Sequence, residues 1–552
     1  MISAPELPAG IELPLGELVQ RATRAFQNAD FPAAEKDQRA VIAVMLFDLA
    51  TTMAAQFRMD DAATALDLAV EHCPHFWSAR VRLGEVYYAS GRFDDAEAQW
   101  KTVLENQPDN PEAHDYLGHL YMGQGMLDEA LELFNEALRL RPRWFKAASH
   151  IAWLYSYRPD KSPAQVATAH VEACRFLPRP DKHVLRALRS GTGVDRDPER
   201  CLRIGYLSPN APCFIQPVLD NHDKDKFFTV LYLENVTGEV GQKQFVDAAD
   251  SHRWIHARSD AAVADMIRKD GIDILVDCAG HTAGCRLGVC AMKPAPIQVT
   301  WCGYPQTTGL PEMDYRITDN VCDPIGQKWH GTEHLVRLPG SFVAYRPPPE
   351  APEVQPLPCL KNGYLTFGST HDLMKVNQAV LRWWLDILRC FDNARMLFFR
   401  HSLQGEVINR FGQRLRTAGF PMERVQIGCP ATRDLRYLDV YHHFDILLDT
   451  FPWSGHVTVC DAAWMGVPTV TYPDKQSSSR LGESVNRAIG MGMPAFGSQA
   501  QYVDYLAGFR ATCRDSMRRA RICDGAFMTG ELERAYRSMW RVYCDRKEPI
   551  CT

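Results

Sequence analysis

No two of the 17 cysteines are spaced C-x-x-C, and none show zinc-type spacing. A disulfide framework and a structural zinc site are therefore not expected, and the thiols read as reduced, in a reducing, cytoplasmic setting. Basic residues are not in excess. Lys and Arg number 61 against 67 Asp and Glu, for a net charge of −6, which provides no footprint for DNA or RNA. No unbroken run of about 18 apolar residues occurs, so no membrane insertion is expected. The opening MISAPELPAGIELPLGELV carries acidic rather than basic residues, unlike a signal peptide. No G-x-G-x-x-G follows a strand-like run and no P-loop pattern is present, which disfavours NAD and ATP. What remains is globular: 46 % hydrophobic and 23 % charged over 552 residues, enough for two to four domains.

An internal repeat organises the first third. Trp77 to Asn110 overlays Pro111 to Trp144 at an offset of 34 residues. Gly84 meets Gly118, Tyr87 meets Tyr121, Gly91 meets Gly125, Ala96 meets Ala130, Trp100 meets Phe134 and Pro108 meets Pro142. This is the tetratricopeptide pattern of two helices per repeat. Small residues let paired helices approach, the aromatic fills the space between them, and proline ends the second helix. A weaker repeat covers 42–76, and Ala152 and Tyr155 begin another that fades after SYRPDKSP. Residues 15–190 are expected to form a helical solenoid, either as a packing module or as a concave surface for a protein partner.

From Cys201 the texture changes to apolar runs alternating with helical stretches. LRIGYLS, FFTVLYLEN, IDILVDC, IQVTW and EHLVRLPGSF read as strands, with a helix over ADMIRKDG. The expected parallel sheet places ligands beyond the carboxyl ends of its strands, in the loops LSPNAP, CAGHTAG and GYPQTTG. His281 follows such a strand. His252 and His256 are four apart but have no third ligand nearby, so no metal site is expected. Residues 346–361, RPPPEAPEVQPLPCLK, read as an extended linker. Beyond it YLTFGST, ARMLFFR, VQIG, FDILLDT and PTVTY read as strands, and NQAVLRWWLDILRCF and VTVCDAAWMG as helices. The turn SGH precedes the second helix, whose free N–H groups suit a phosphate. His456 and Thr458 add donors there, Asp461 lies one turn further in, and Lys375 on the opposite loop supplies a full charge. PTVTYPDKQSSSR ends a serine-rich loop at Arg480.

Two α/β halves joined by a linker suit a nucleotide-sugar transferase of the GT-B type, and other enzymes built from two Rossmann-like halves. Specific blocks narrow this. DILVDCAGHTAGCRLGVCAMKPAPIQVTWCGYPQTTGLPEMDYRITD, FDILLDTFPWSGHVTVCDAAWMGVPTVT and GELERAYRSMWRVYC resemble the O-linked N-acetylglucosamine transferase family of repeat-containing protein glycosyltransferases. The likeness covers about 45–160 and 200–545. It implies an α/β enzyme with an all-α N-terminal part: repeats at 15–190, an acceptor-side half at 200–345, the linker, a nucleotide-sugar half at 362–525 and a closing helix at 526–552.

The resemblance implies that Lys375 holds the donor diphosphate and stabilises its departure. It implies further that Gly455, His456, Thr458, Asp461 and Arg480 bind the nucleotide-sugar, with Asp461 on the ribose. Gly303, Pro305 and Thr308 would belong to the sugar and acceptor loop. Transfer would be inverting and metal-free, from a UDP-sugar of GlcNAc type to Ser or Thr of an acceptor presented by the repeats. Three departures stand out. The loop LSPNAPCFIQP lacks the family's histidine, leaving His281 as the catalytic candidate in that region. Val457 replaces a threonine. THDLMK replaces F-N-x-x-x-K before Lys375. A CMP-nonulosonic acid donor with a flagellin-like acceptor, and a catalytically degenerate scaffold, are the alternatives.

Overall fold

The computed structural model describes residues 15–28, 30–190, 195–209, 212–234, 245–430, 436–491 and 499–545. Two compact units divide the chain, Met1–Ala147 and Ala148–Thr552.

The first unit is helical: α1 (Leu15–Gln27), α2 (Phe31–Ala55), α3 (Met59–His72), α4 (Trp77–Ala89), α5 (Phe93–Asn106), α6 (Pro111–Gly123) and α7 (Leu127–Leu140). The repeat positions do what their chemistry demands. A Cβ on Gly84 would lie 2.4 Å from Nε1 of Trp100, and one on Gly118 would lie 2.8 Å from the Phe134 ring. Both rings are buried, and the Trp100 indole N–H donates to the Val81 carbonyl at 3.1 Å. Asn110 caps α6 by accepting from Ala113 N at 2.9 Å, with Pro111 at the first helical position.

The 25-residue α2 is long and apolar enough, by length and composition, to cross a membrane. Asp48, Thr51 and Thr52 interrupt its apolar residues, so a search for an unbroken run passes over it. Within this unit it behaves as a solenoid helix: Ala34, Ala43 and Ala50 are buried, and Asp37 pairs with Arg21 of α1 at 2.6 Å.

The boundary falls inside α8 (Phe145–Tyr155) rather than near residue 190. The rest of α8, with α9 (Pro163–Cys174) and α10 (Lys182–Ser190), belongs to the second unit. Hydrogen bonds explain this. Ser149 meets His281, His170 meets Tyr304, and the Cys174 thiol donates to the Thr308 carbonyl. Gly309 completes the fit. At φ +70° it takes a conformation that favours glycine, and a Cβ there would lie 2.3 Å from the α9 backbone at His170.

Seven parallel strands form the first sheet, in the order β3-β2-β1-β4-β5-β6-β7. They are β1 (Leu202–Leu207), β2 (Phe227–Leu233), β3 (Ser251–Trp254), β4 (Ile274–Asp277), β5 (Ile297–Thr300), β6 (Tyr315–Asp319) and β7 (His334–Leu338). Five follow the apolar runs. β3 and β6 do not, because SHRW is a polar edge strand and YRITD buries Arg316 and Asp319. His252 lies on β3 and His256 in the turn beyond it, so they share no helical face. The second sheet is parallel, in the order β10-β9-β8-β11-β12. Its strands are β8 (Thr366–Ser369), β9 (Arg395–Phe399), β10 (Val425–Gly428), β11 (Ile446–Leu448) and β12 (Thr469–Val470), all within the runs read from the sequence.

The proline-rich segment has neither helix nor strand over 346–357, but it is not free. Arg510 donates to the Gln355 carbonyl at 2.7 Å and Arg514 to the Pro352 carbonyl at 2.6 Å. The last helix, Gly525–Cys544, returns to the first sheet. Its Glu533 accepts from Asp223 N and faces His222, and Trp540 donates to the Asp197 carbonyl. An all-helical N-terminal region followed by two parallel α/β sheets matches the expected plan.

Trp100→Ala should destabilise the helical unit by about 3–5 kcal/mol, since a buried ring is lost and its groove stays open. Urea unfolding followed by circular dichroism reads this as a lower midpoint.

Candidate functional site

The carboxyl end of β11 runs into Asp449, and everything from there to the next helix is built on its side chain. Asp449 is buried. Its carboxylate accepts from Thr450 N at 2.8 Å and Gly455 N at 2.7 Å, and from the Ser454 hydroxyl. Those bonds fold residues 450–455 back on themselves and present the N-terminus of helix Val457–Trp464. Ser478 clamps the same loop by donating to the Pro452 carbonyl at 2.7 Å, and Asn377 donates to the Phe451 carbonyl at 2.6 Å. Burial pushes the Asp449 carboxyl up to about 6, against the pull of those hydrogen bonds and of Lys375.

Lys375 follows β8 and reaches the same loop, where Nζ donates to the Ser454 carbonyl at 3.1 Å. Burial lowers its pKa, while Asp372 and Asp449 act to raise it. His456 caps the helix with a partly buried ring between Phe214 and Phe342, at centroid distances of 4.5 and 5.2 Å. Its Nε2 is buried and makes no hydrogen bond. Burial, then the Lys375 charge, hold it neutral with a pKa pushed down to about 3. Thr458 lies in the first turn, partly buried, and its carbonyl accepts from Tyr441. Lys375, Gly455, His456 and Thr458 therefore converge on one helix N-terminus. A cation, a free imidazole nitrogen and helix N–H groups there suit a diphosphate.

Asp461 is deeper. Its two oxygens accept from Tyr345 at 2.5 Å and Tyr437 at 2.7 Å, and burial pushes it up to about 6. Arg480 is elsewhere: its guanidinium bonds the Cys322 carbonyl and, at 2.6 Å, Gln327, tying the serine-rich loop to the first half. The loop carrying Gly303, Pro305 and Thr308 is largely interior. Glu333 accepts from Thr307 and twice from Thr308, the Pro305 carbonyl accepts from Arg316, and Gly303 N donates to the Trp301 carbonyl. Gln306 crosses to Gln476 and Ser478, both at 2.8 Å.

His281 is buried beside this loop with both nitrogens engaged. Nε2 meets the Thr308 carbonyl at 2.8 Å, which makes Nδ1 the acceptor for Ser149 at 2.7 Å. Burial and His170 hold its pKa well below the usual value. Protonating Nδ1 would require the Ser149 hydroxyl to turn from donor to acceptor. It joins α8 to the loop, and its partner Ser149 lies 132 residues away, invisible to local reading. Asn210 and Ala211 of the first-strand loop lie outside the described residues. Asp449, Asn377, Tyr345, Tyr437 and His371 were missed by sequence reasoning. Only the position of Asp449, directly after a buried strand, was a usable signal.

The family model described as glycosyl transferase family 41 matches residues 185–345 and 359–522, and a tetratricopeptide repeat model matches 47–97 and 81–143.

The chain belongs to glycosyl transferase family 41.

This is the family that the motif blocks resemble. A solved structure of a lysine-to-methionine mutant of Thermobaculum terrenum O-GlcNAc transferase is 28 % identical, with a TM-score of 0.81 over 92 % of this chain and 98 % of that one. The probable UDP-N-acetylglucosamine–peptide N-acetylglucosaminyltransferase SPINDLY of Petunia hybrida is 37 % identical over 374 residues, 64 % of this chain and 40 % of that protein. The similarly named SEC of Arabidopsis thaliana is 26 % identical over 63 % of this chain and 38 % of its own length. The chain thus spans about 40 % of the length of the curated relatives it matches. As a family 41 member it is an O-GlcNAc transferase-like glycosyltransferase.

Two outcomes test this reading of the site. His281→Ala should cost about 1–3 kcal/mol of stability, because Ser149 and the Thr308 carbonyl lose their partner. The shape of the pH–rate profile should not change. The second concerns Asp461. Its folded pKa of about 6 exceeds the unfolded value, so its proton is held more tightly in the fold. That contribution is complete below about pH 4 and is lost as pH rises through 6. Relative to wild type, Asp461→Asn should gain about 3 kcal/mol between pH 4 and 7, read from denaturant midpoints at each pH.

Proposed function

We propose that the protein transfers a sugar, of GlcNAc type, from a UDP-linked donor to a Ser or Thr hydroxyl of a protein acceptor, with inversion. The observation that carries this is the convergence of Lys375 Nζ and the His456 ring on the N-terminus of helix Val457–Trp464. As the anomeric C–O bond breaks, negative charge gathers on the leaving diphosphate. A preorganised cation and preoriented N–H groups stabilise that charge without reorganising. The relatives, probable UDP-N-acetylglucosamine–peptide N-acetylglucosaminyltransferases, support UDP-GlcNAc as the donor. Retention of the cradle argues against a degenerate scaffold.

The acceptor would be a protein held by the repeats, whose stacked helices offer a surface of their own. A flagellin-like acceptor has no observation in its favour.

Lys375→Met should fold normally and lose at least about 100-fold in kcat, the scale of removing one oxyanion donor. Transfer assays with UDP-GlcNAc and CMP-N-acetylneuraminate should show turnover with UDP-GlcNAc. Turnover confined to the CMP-sugar, or full activity in the variant, would sink the reading.

A further inference from the structure

His371 stands where the family pattern F-N-x-x-x-K has asparagine, four residues before Lys375. It follows β8, is 3 % exposed, and completes no hydrogen bond at either ring nitrogen. Its nearest acceptors are Asp449 Oδ1, 3.5 Å from Nε2, and the Leu448 carbonyl. The ring lies against the phosphate loop: a Cβ on Gly455 would come within 2.5 Å of its Cε1 and 3.2 Å of its Nδ1. A buried imidazole with two idle nitrogens is costly and calls for a reason.

Its electrical surroundings supply one. Lys375 acts on it from its own turn, Arg400 from the end of β9 and Asp449 from the end of β11, while Asp372 faces Lys375 and Arg400, and His456 feels the same Lys375 charge. Asp372 is already paired with Arg400. With the cradle empty, burial and then the charges of Lys375 and Arg400 keep the imidazole neutral. A diphosphate between Lys375 and Gly455–His456 would reverse the sign of that field.

Building on the donor site proposed above, we propose that His371 takes up a proton from solvent when the donor diphosphate binds. Its Nε2–H then closes on Asp449, making a second cation beside the leaving group. No covalent bond changes in this step, and the proton returns to solvent when the nucleotide leaves. The added cation offsets the hydroxyl lost where Val457 replaces threonine. His371 acts here as a positioning residue for the phosphate loop.

The test is calorimetric titration of the full chain with UDP-GlcNAc, without acceptor, in phosphate and in Tris at pH 7.5. The intact diphosphate has no proton titrating near neutrality, so buffer-dependent enthalpy counts protons taken up by the protein. Wild type should take up about half to one proton, and its affinity should fall by up to about tenfold per pH unit between pH 7 and 8.5. His371→Asn should take up none and bind with flat pH dependence, whereas His456→Gln should still show the uptake. A merely structural His371 would weaken binding in the asparagine variant without removing the proton. If that variant misfolds, His371→Gln replaces it. Buffer-independent enthalpy in wild type, or uptake surviving in both His371 variants, would overturn the proposal. If UDP-GlcNAc does not bind, the UDP reading fails, and the same count is taken with CMP-N-acetylneuraminate. Binding of neither overturns both proposals.

Discussion

A single buried carboxylate, Asp449, carries the geometry of the loop that leads into helix Val457–Trp464. Deprived of water, it takes its hydrogen bonds from Thr450 N, Gly455 N and the Ser454 hydroxyl, and those donors are the loop itself. The Ser454 hydroxyl in turn accepts from Gly482 N at 2.9 Å, and the Ser454 carbonyl receives Lys375. Removing the carboxylate would leave several buried donors unpaired at once, a larger loss than any one bond in the cradle. The free N–H groups at the start of helix Val457–Trp464 are useful only because this network holds the turn before them in place.

The acceptor-side loop is ordered by a different principle, the interlocking of distant segments. Glu333 takes the hydroxyls of Thr307 and Thr308, His281 takes the Thr308 carbonyl, and His170 meets the Tyr304 hydroxyl at 2.6 Å. Both histidines are neutral, and each ring nitrogen is committed to a partner. The end of the repeat region is thereby part of the catalytic unit. Tyr157, just beyond α8, stacks on Trp453 at 4.9 Å, beside the phosphate loop. A helical segment thus touches both the loop at 303–309 and the donor cradle.

Much of this was legible in local sequence because it depends on local chemistry. A buried parallel strand needs an unbroken apolar run, so FDILLDT and IDILVDC announce themselves, and SGH before VTVCDAAW announces a helix start. The polar strand SHRW and the strand YRITD, with its buried arginine, escaped for the same reason: their stability comes from neighbours, not from their own pattern. Lys375 and His456 were found through motif resemblance. Asp449 was marked only by its place after a buried strand and His371 only by the departure THDLMK, and neither signal named the partners that bury them.

The sequence by itself determined the repeat period, the alternation of strand and helix, the family and the start of the helix after SGH. These follow from spacing, periodicity and short motifs, which are properties of neighbouring residues. Only the tertiary structure decided that the unit boundary lies within α8, that Arg480 joins the halves, that His281 is spent on Ser149 and Thr308, and that two tyrosines occupy Asp461. Each of those depends on a partner distant in the chain or on exclusion of water. Burial then sets whether a given histidine or aspartate holds a proton, and no run of residues records how much water a side chain keeps.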